Sequence, residues 1–365
     1  MPRIKQMPED FVVKEVFEKQ KTKEEEKGYY VWFTLKKKNW DLFRALKVLS
    51  KKLGVSVKRF GYAGVKDKRA ITYQRISVWN VPVEKLDRIK IKDLELSGFE
   101  IKRERINLGD LRANKFEVVI RDIKDKEKKS MEKNLERIKN EGFVNYFGEQ
   151  RFGLRKNTHL VGKEILRNRL KEAVWIYLAK EGDEDEVAKR FRENLRKTRD
   201  LKSGLKECPK NLRNEIVLMN HLIAKPNDYA GALRKIPKKF RRMFIHAHQS
   251  YLWNEIAKLS EESRLPIIGF RTDLNRYETK KLIEKILKEE GVKPEDFLPR
   301  SMPELASEGS EREAIVKPRG IKWKFGEDEK NKGKIKCSLE FSLPRGSYAT
   351  VLIETTLEGN LNARN

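Results

Sequence analysis

Strand-like texture at both ends of the chain, separated by a long helical stretch, is what most narrows the folds open to these 365 residues. GYYVWFTL (Gly28 to Leu35) is β-branched and aromatic and reads as a strand, and the charged run KTKEEEK before it reads as a loop. WDLFRALKVLSKKLG carries Leu42, Leu46, Leu49 and Leu53 at helical spacing, with Asp41 near its start and Gly54 as its stop. QRISVWNV, where Ile76 and Val78 alternate with polar neighbours, predicts another strand, as do LELSGFEIKRERI and NKFEVVIRDI. DKEKKSMEKNLERIKNEG is a helix with a thin apolar stripe at Met131, Leu135 and Ile138. From Lys156 to about Glu262 the texture changes. Long helical segments such as VGKEILRNRLKEAVWIYLAKE and DEVAKRFRENLRKTRDL follow one another with almost no strand signal, and TKKLIEKILKEEG adds a further helix. β-like texture returns in REAIVKPRGIKWKF, CSLEFSL and SYATVLIETT. Strands at the tail need partners, and the N-terminal sheet is the obvious host. The expected architecture is one split α/β domain interrupted by a mostly helical one, in keeping with roughly 150 residues per domain.

Charge points to the partner. There are 83 lysines and arginines against 56 acids, a formal net charge of +27. Such an excess suits a polyanion, nucleic acid before membrane, because each neutralised phosphate releases condensed counterions. A halo of solvated charge is the alternative, since 38% of the residues are charged with both signs mixed. The Lys/Glu-rich runs also fit a thermophile's protein. Cys208 and Cys337 belong to no CxxC pair, so neither a disulfide framework nor a zinc site is readable. MPRIKQMPEDF lacks the apolar core of a signal peptide, and no run approaches the ~18 apolar residues that would span a bilayer, so a soluble, cytoplasmic protein is expected.

Two stretches carry chemistry. GYAGVKDKRAITYQ (Gly61 to Gln74) sets a lone acid, Asp67, among Lys66, Lys68 and Arg69, on a turn between predicted regular elements. Gly61 and Gly64 would allow a tight, left-handed backbone there. The loop lacks GxxxxGK[ST], which removes a P-loop and the nucleotide-hydrolase reading with it. A surface salt bridge is the bland account of Asp67. NYFGEQRFG (Asn145 to Gly153) packs two glycines, two phenylalanines, two side-chain amides and an arginine into nine residues. A site that stacks a planar base and satisfies its edges needs such a mixture. A turn with Phe147 and Phe152 as core anchors would account for the phenylalanines equally well.

Together PEDFVVKE, GYAGVKDKRAITYQ, LGDLRANKFEVVIR, NYFGEQRFG and LPRGSYATVLIE resemble, in order and approximate spacing from Lys5 to Glu354, the TruD family of tRNA pseudouridine synthases, in its archaeal form. The helical middle is similar more loosely, at HAHQSYLWN and LPIIGF. The resemblance implies a mixed, largely antiparallel sheet flanked by helices. It places the catalytic domain at residues 1–154 and 313–365, with an insertion domain at 155–312. It implies a cofactor-free isomerase that converts uridine to pseudouridine in RNA, most typically uridine 13 of tRNA, acting as a monomer without metal or membrane. Asp67 aligns with the shared catalytic aspartate, as nucleophile or as base at the ribose, and Lys5 with its basic partner. Phe147 matches the aromatic that stacks on the target base. Asn145, Gln150, Arg151 and Phe152 line the same motif, Phe11 and Glu15 belong to the N-terminal block, and Lys66 neighbours the aspartate; these are expected around the substrate. A cation beside Asp67 would favour its charged form. The target base must be flipped out of the RNA, at a few kcal/mol, and Phe147 can replace the stacking it loses. A noncatalytic RNA-binding or RNA-folding protein on the same scaffold is the alternative.

His246 and His248 in HAHQSYLWN would point about 200° apart on a helix, so packing rather than metal binding is expected of them. His159 and His221 have no carboxylate or cysteine at ligand spacing. The helices from Lys163 to Arg199 are basic on their polar faces, which suits either solvent or a wall against RNA.

Overall fold

The computed structural model describes residues 2–17 and 29–359; the loop expected at KTKEEEK lies outside the described residues. The chain divides into two compact units, Met1–Phe143 with Val316–Gly359, and Val144–Ile315.

The first unit is built on an eight-stranded sheet. Its strands are β1 (Phe11–Val16), β2 (Tyr30–Lys38), β3 (Phe60–Tyr62), β4 (Ile71–Trp79), β5 (Leu94–Lys102), β6 (Ala113–Ile123), β7 (Arg319–Glu327) and β8 (Ile335–Pro344). Spatial order is β7-β8-β6-β1-β4-β2-β5, with β3 paired to β4. Strands β1 and β4 run parallel; the other pairings are antiparallel. The fold is thus mixed α/β with a largely antiparallel sheet and flanking helices, as expected, and the returning strands β7 and β8 do find their host in the N-terminal sheet. Alternate residues of β2, Val31, Phe33 and Leu35, share a buried cluster with Leu42, Leu46 and Leu49 of helix α1 (Leu42–Leu53). Each side chain so buried contributes about 1.5–3 kcal/mol. Asp41 caps α1 by accepting from the Arg44 N–H, and Gly54 ends it at φ 67°. The short α2 (Val83–Asp87) precedes β5 and α3 (Asp125–Glu141) follows β6.

One expected strand is a helix. SYATVLIETT forms most of α12 (Ala349–Glu358). Its β-branched residues suggest a strand, but Ala349, Leu352, Ile353 and Thr356 are buried at helical spacing, and Asn134 on α3 donates to the Thr356 carbonyl at 3.0 Å. Thr355 and Thr356 turn their hydroxyls back to the carbonyls of Val351 and Leu352. Packing against α3 outweighs local propensity.

Arg121 on β6 ties the ends of this unit together. Its guanidinium reaches Asp10 at 2.9 Å, Asp328 at 2.8 Å and Glu329 at 3.0 Å, with Arg121, Asp10 and Asp328 all buried. Burial alone would raise the Asp328 carboxyl pKa; the Asp122 N–H, Asn331, the Lys330 N–H and Arg121 outweigh it and hold the group well below the usual range.

The second unit is mostly helical. It contains α4 (Thr158–Leu166), α5 (Leu170–Ala179), α6 (Glu186–Thr198), α7 (Leu201–Glu207), α8 (Arg213–Ala224), α9 (Tyr229–Lys235), α10 (Lys238–Leu259) and α11 (Lys280–Glu290), with an antiparallel pair of strands at Arg264–Ile267 and Ser310–Glu313. The segment VGKEILRNRLKEAVWIYLAKE is two helices, because Asn168 takes a left-handed φ of 57° between α4 and α5. Helix α10 lies so close to α4 that a Cβ at Gly162 would fall 2.0 Å from the Phe244 carbonyl oxygen. Arg192 on α6, fully buried, donates to the Tyr177 and Leu178 carbonyls at the end of α5 and pairs with Glu184 and Glu215. It thereby satisfies carbonyls that the helix end leaves without partners.

Candidate active site

The Asp67 loop joins β3 to β4 and is clamped from the sheet. Gln74 on β4 donates to the Gly64 carbonyl at 2.9 Å. Lys37 on β2 donates to the Asp67 carbonyl, also at 2.9 Å, and the Asn39 N–H reaches the Ala70 carbonyl at 3.2 Å. Lys37 is fully buried, and that burial brings its pKa down to about 8. With its backbone held at these points, the loop presents the Asp67 carboxylate still 31% exposed. Neither Gly61 nor Gly64 has a positive φ. Gly61 is needed for a different reason: a Cβ there would lie 2.3 Å from the Ile106 carbonyl oxygen.

Lys5 donates to Asp67 Oδ2 at 2.6 Å, and its ammonium lies 4.2 Å from the centre of the buried Phe11 ring. Lys5 itself takes a left-handed φ of 58°, a conformation that costs a non-glycine residue about 1–2 kcal/mol. The segment is held in place on either side of that strain. Arg3 and Arg121 exchange backbone hydrogen bonds, each 2.8 Å, and Asp10 grips the Arg121 side chain. Glu15 on β1 accepts the Arg75 N–H at 2.9 Å through one oxygen. Its other oxygen lies 3.0 Å from Lys66 in an ion pair that lacks hydrogen-bond alignment. Lys66 is thus engaged with Glu15, whereas Lys68 and Arg69 are exposed. Within this unit the structure brings together Lys5, Phe11, Glu15, Lys66 and Asp67.

The second stretch lies in the second unit and has a different character. The Phe147 backbone is gripped twice by Asn254 of α10, whose amide accepts from its N–H at 2.9 Å and donates to its carbonyl at 3.0 Å. The ring packs edge-on against the buried Trp253, and the Arg312 guanidinium lies 4.1 Å from its centre. Asn145 is buried and structural in its bonds: it receives Arg312 on both its side-chain and main-chain oxygens at 2.8 Å and donates to the Glu313 carbonyl. Arg151 is exposed, donates to Ser250 at 3.1 Å and places its guanidinium 5.7 Å from the Phe147 ring. Phe152 meets the edge of His159, and Gln150 is exposed.

Sequence reading missed Lys37, Asn254 and Arg312. Lys37 sits in the run KKK, which looks like solvated charge, although strand alternation from Leu35 would have turned it inward. Arg312 lies in the equally charged SEREA. The histidines pack as expected: His248 is fully buried, stacked with Tyr251, and pushed down to about 3 by its burial. His221, read as having no carboxylate or cysteine at ligand spacing, reaches Asp228 at 2.8 Å, seven residues on. Among the described residues no group of three or more His, Cys, Asp or Glu could hold a metal ion, and no helix is long and apolar enough to cross a membrane.

A family model described as tRNA pseudouridine synthase D (TruD) matches residues 2–264 and 256–355. A protein of Methanosarcina acetivorans named probable tRNA pseudouridine synthase D is 36% identical over 406 residues, covering 96% of this chain and 91% of the relative. The tRNA pseudouridine synthase D of Aquifex aeolicus is 33% identical, covering 96% and 97%. A crystal structure from Methanosarcina mazei, described as that of a tRNA pseudouridine synthase D, superposes with a TM-score of 0.83 at 34% identity, over 99% of this chain and 94% of that one.

Proposed function

The chain belongs to the TruD family of tRNA pseudouridine synthases, and from that premise we propose that it isomerises uridine 13 of tRNA, without a cofactor, through Asp67. The observation that carries the reading is the 2.6 Å contact between Lys5 and a partly exposed Asp67 on a loop clamped at its backbone. A carboxylate so placed is the type of group that can attack C1′ of the ribose or take a proton from the sugar. Either route breaks the bond from N1 to C1′, joins C5 to C1′, moves the C5 proton off the ring and leaves N1 protonated, so the atoms balance with no oxidant or donor. The free uracil must stay bound while it turns, which favours an enclosing site.

In this reading Lys5 keeps a positive charge against the carboxylate. Phe11 backs Lys5, and the pair of Glu15 with Lys66 braces the loop from β1. Phe147 takes the stacking role that the family resemblance assigns to it, with Asn145, Gln150, Arg151 and Phe152 around the substrate. Arg312 already covers part of the Phe147 ring, so an incoming base shares the ring with a cation or displaces it. The segments 1–154 and 313–365 serve as the catalytic domain and 155–312 as the insertion.

The test is to incubate an unmodified tRNA transcript with the purified chain, with no added cofactor, and to map pseudouridine. Conversion at position 13 is expected. Asp67→Asn should lower the rate by at least about a thousandfold while RNA affinity stays within about tenfold, because one carboxylate contributes little to phosphate contacts. Equal loss of both assigns Asp67 to RNA binding or folding rather than to chemistry, and binding without conversion by the unaltered chain leaves an RNA-binding protein instead.

A further inference from the structure

A concavity of about 940 Å³ in the helical unit is lined by residues of α4 to α6 and by Tyr229, and none of them belongs to the clusters above. We propose that it receives an unpaired nucleotide of the RNA substrate, its base stacked on Arg199 over Trp175 and its phosphates held by Arg169, Lys171 and Lys180. The inference rests on the RNA-modifying reading of the preceding subsection and names a contact outside the residues that it uses.

Arg199 carries the argument. It is the C-terminal cap of α6 and takes a left-handed φ of 55°, a position that glycine fills at lower cost. A long side chain there is exposed, and its guanidinium lies 4.3 Å from the centre of the Trp175 ring. Trp175, half-buried on α5, thus backs a planar cation. Guanidinium planes and aromatic rings are the two surfaces on which proteins stack splayed RNA bases, and here one supports the other.

Charge around the concavity agrees. Arg169, Lys171 and Lys180 are exposed and have no ion-pair partner among the described residues. Glu164 is committed to Arg167 at 3.1 Å, and Arg196 to Glu181 at 3.1 Å. Glu172 is the one other acid in the lining. Three uncommitted cations beside a backed planar cation form a site for an anion that carries a ring. The volume lies in the range of about 300–1,000 Å³ that small-ligand sites occupy, enough for one nucleotide and parts of its neighbours. An acidic protein segment would use the lysines but not the stacked plane.

The experiment measures binding of the unmodified tRNA transcript at several salt concentrations, alongside steady-state pseudouridine formation. Trp175→Ala should raise Kd and KM about tenfold, within what one base stack provides, with kcat changed less than about twofold; Trp175→Phe should restore most of the affinity. Lys171→Glu with Lys180→Glu should weaken binding and lower the salt slope by about two, while Trp175→Ala leaves the slope unchanged. Unchanged Kd in Trp175→Ala and in the charge-reversed variant overturns the proposal. So does a Trp175→Ala protein whose kcat and melting temperature fall together with Kd and KM unchanged, because that is a packing role. Should the unaltered chain bind the transcript tightly yet convert no uridine, the enzyme reading fails while the stacking contact is still judged by Kd.

Discussion

The two clusters that carry the candidate site residues solve different physical problems. In the sheet unit, Lys5, Asp67, Glu15 and Lys66 form ion pairs on strands and one loop, and that loop is also clamped at its backbone, by Gln74 on Gly64 and by Lys37 on Asp67. In the helical unit, Phe147 is held by an amide from α10 and capped by a guanidinium, with a tryptophan at its edge. The first arrangement fixes a charge. The second fixes a plane. A group that makes and breaks bonds needs its charge placed and its loop immobile before substrate arrives, whereas a stacking surface needs only orientation and area. The difference teaches that variants of the first cluster should act on turnover and variants of the second on substrate affinity.

The largest expected effect tests the first half of that contrast. Lys5→Met removes the cation 2.6 Å from Asp67 and should lower kcat about a hundredfold, the scale of removing one preorganised charge partner, with KM moving less than about threefold; a change confined to KM would break the distinction. Next is Asn254→Ala, which deletes both hydrogen bonds to the Phe147 backbone. At about 0.5–1.5 kcal/mol for each bond, KM should rise about tenfold with kcat nearly kept, and a fall in kcat alone would place Phe147 with the chemistry.

Lys37→Met gives the smallest effect and sharpens the comparison, since it alters only a clamp. It should lower kcat about threefold through the lost hydrogen bond to the Asp67 carbonyl. The sign of its pH effect follows from burial. Burial disfavours the protonated lysine in the folded chain, so between pH ~8 and the ordinary ~10.4 the unfolded chain binds more protons there and this lysine's contribution to stability rises with pH. Burial also pushes the Cys208 thiol up to about 11 and the Cys337 thiol up to about 12, which lowers stability over part of that range, so the effect is read as a difference: in thermal melts the unaltered protein should gain on Lys37→Met as pH rises. Parallel curves for the two would assign the pH dependence to other groups.

Legibility followed the same division. The acid, its loop and the strand that follows it were readable because alternation and a dense motif lie within a few residues of each other, whereas the three-residue strand before the loop, Phe60–Tyr62, is too short to show alternation. Lys5 came only through resemblance, since nothing local links it to a residue 62 positions away. Lys37 and Arg312 were hidden in charged runs whose inward members differ from outward ones only by strand phase. Asn254 lies on a helix whose pattern reports burial, not which backbone it will grip. The tail helix α12 was misread because valine, isoleucine and threonine favour strands until a neighbouring helix supplies a face for them. Local chemistry is written locally, and its supports arrive from distant sequence.

The Arg121 knot has a consequence for how the protein comes into being. The arm bearing Lys5 is anchored through Arg3 and Asp10 to Arg121, and Arg121 is gripped by Asp328, 207 positions further along. Until nearly the whole polypeptide has left the ribosome, that anchor lacks the grip of Asp328. Chains that stop short of it, including ones that already contain the Asp67 and Phe147 loops, should hold the arm that bears Lys5 less firmly.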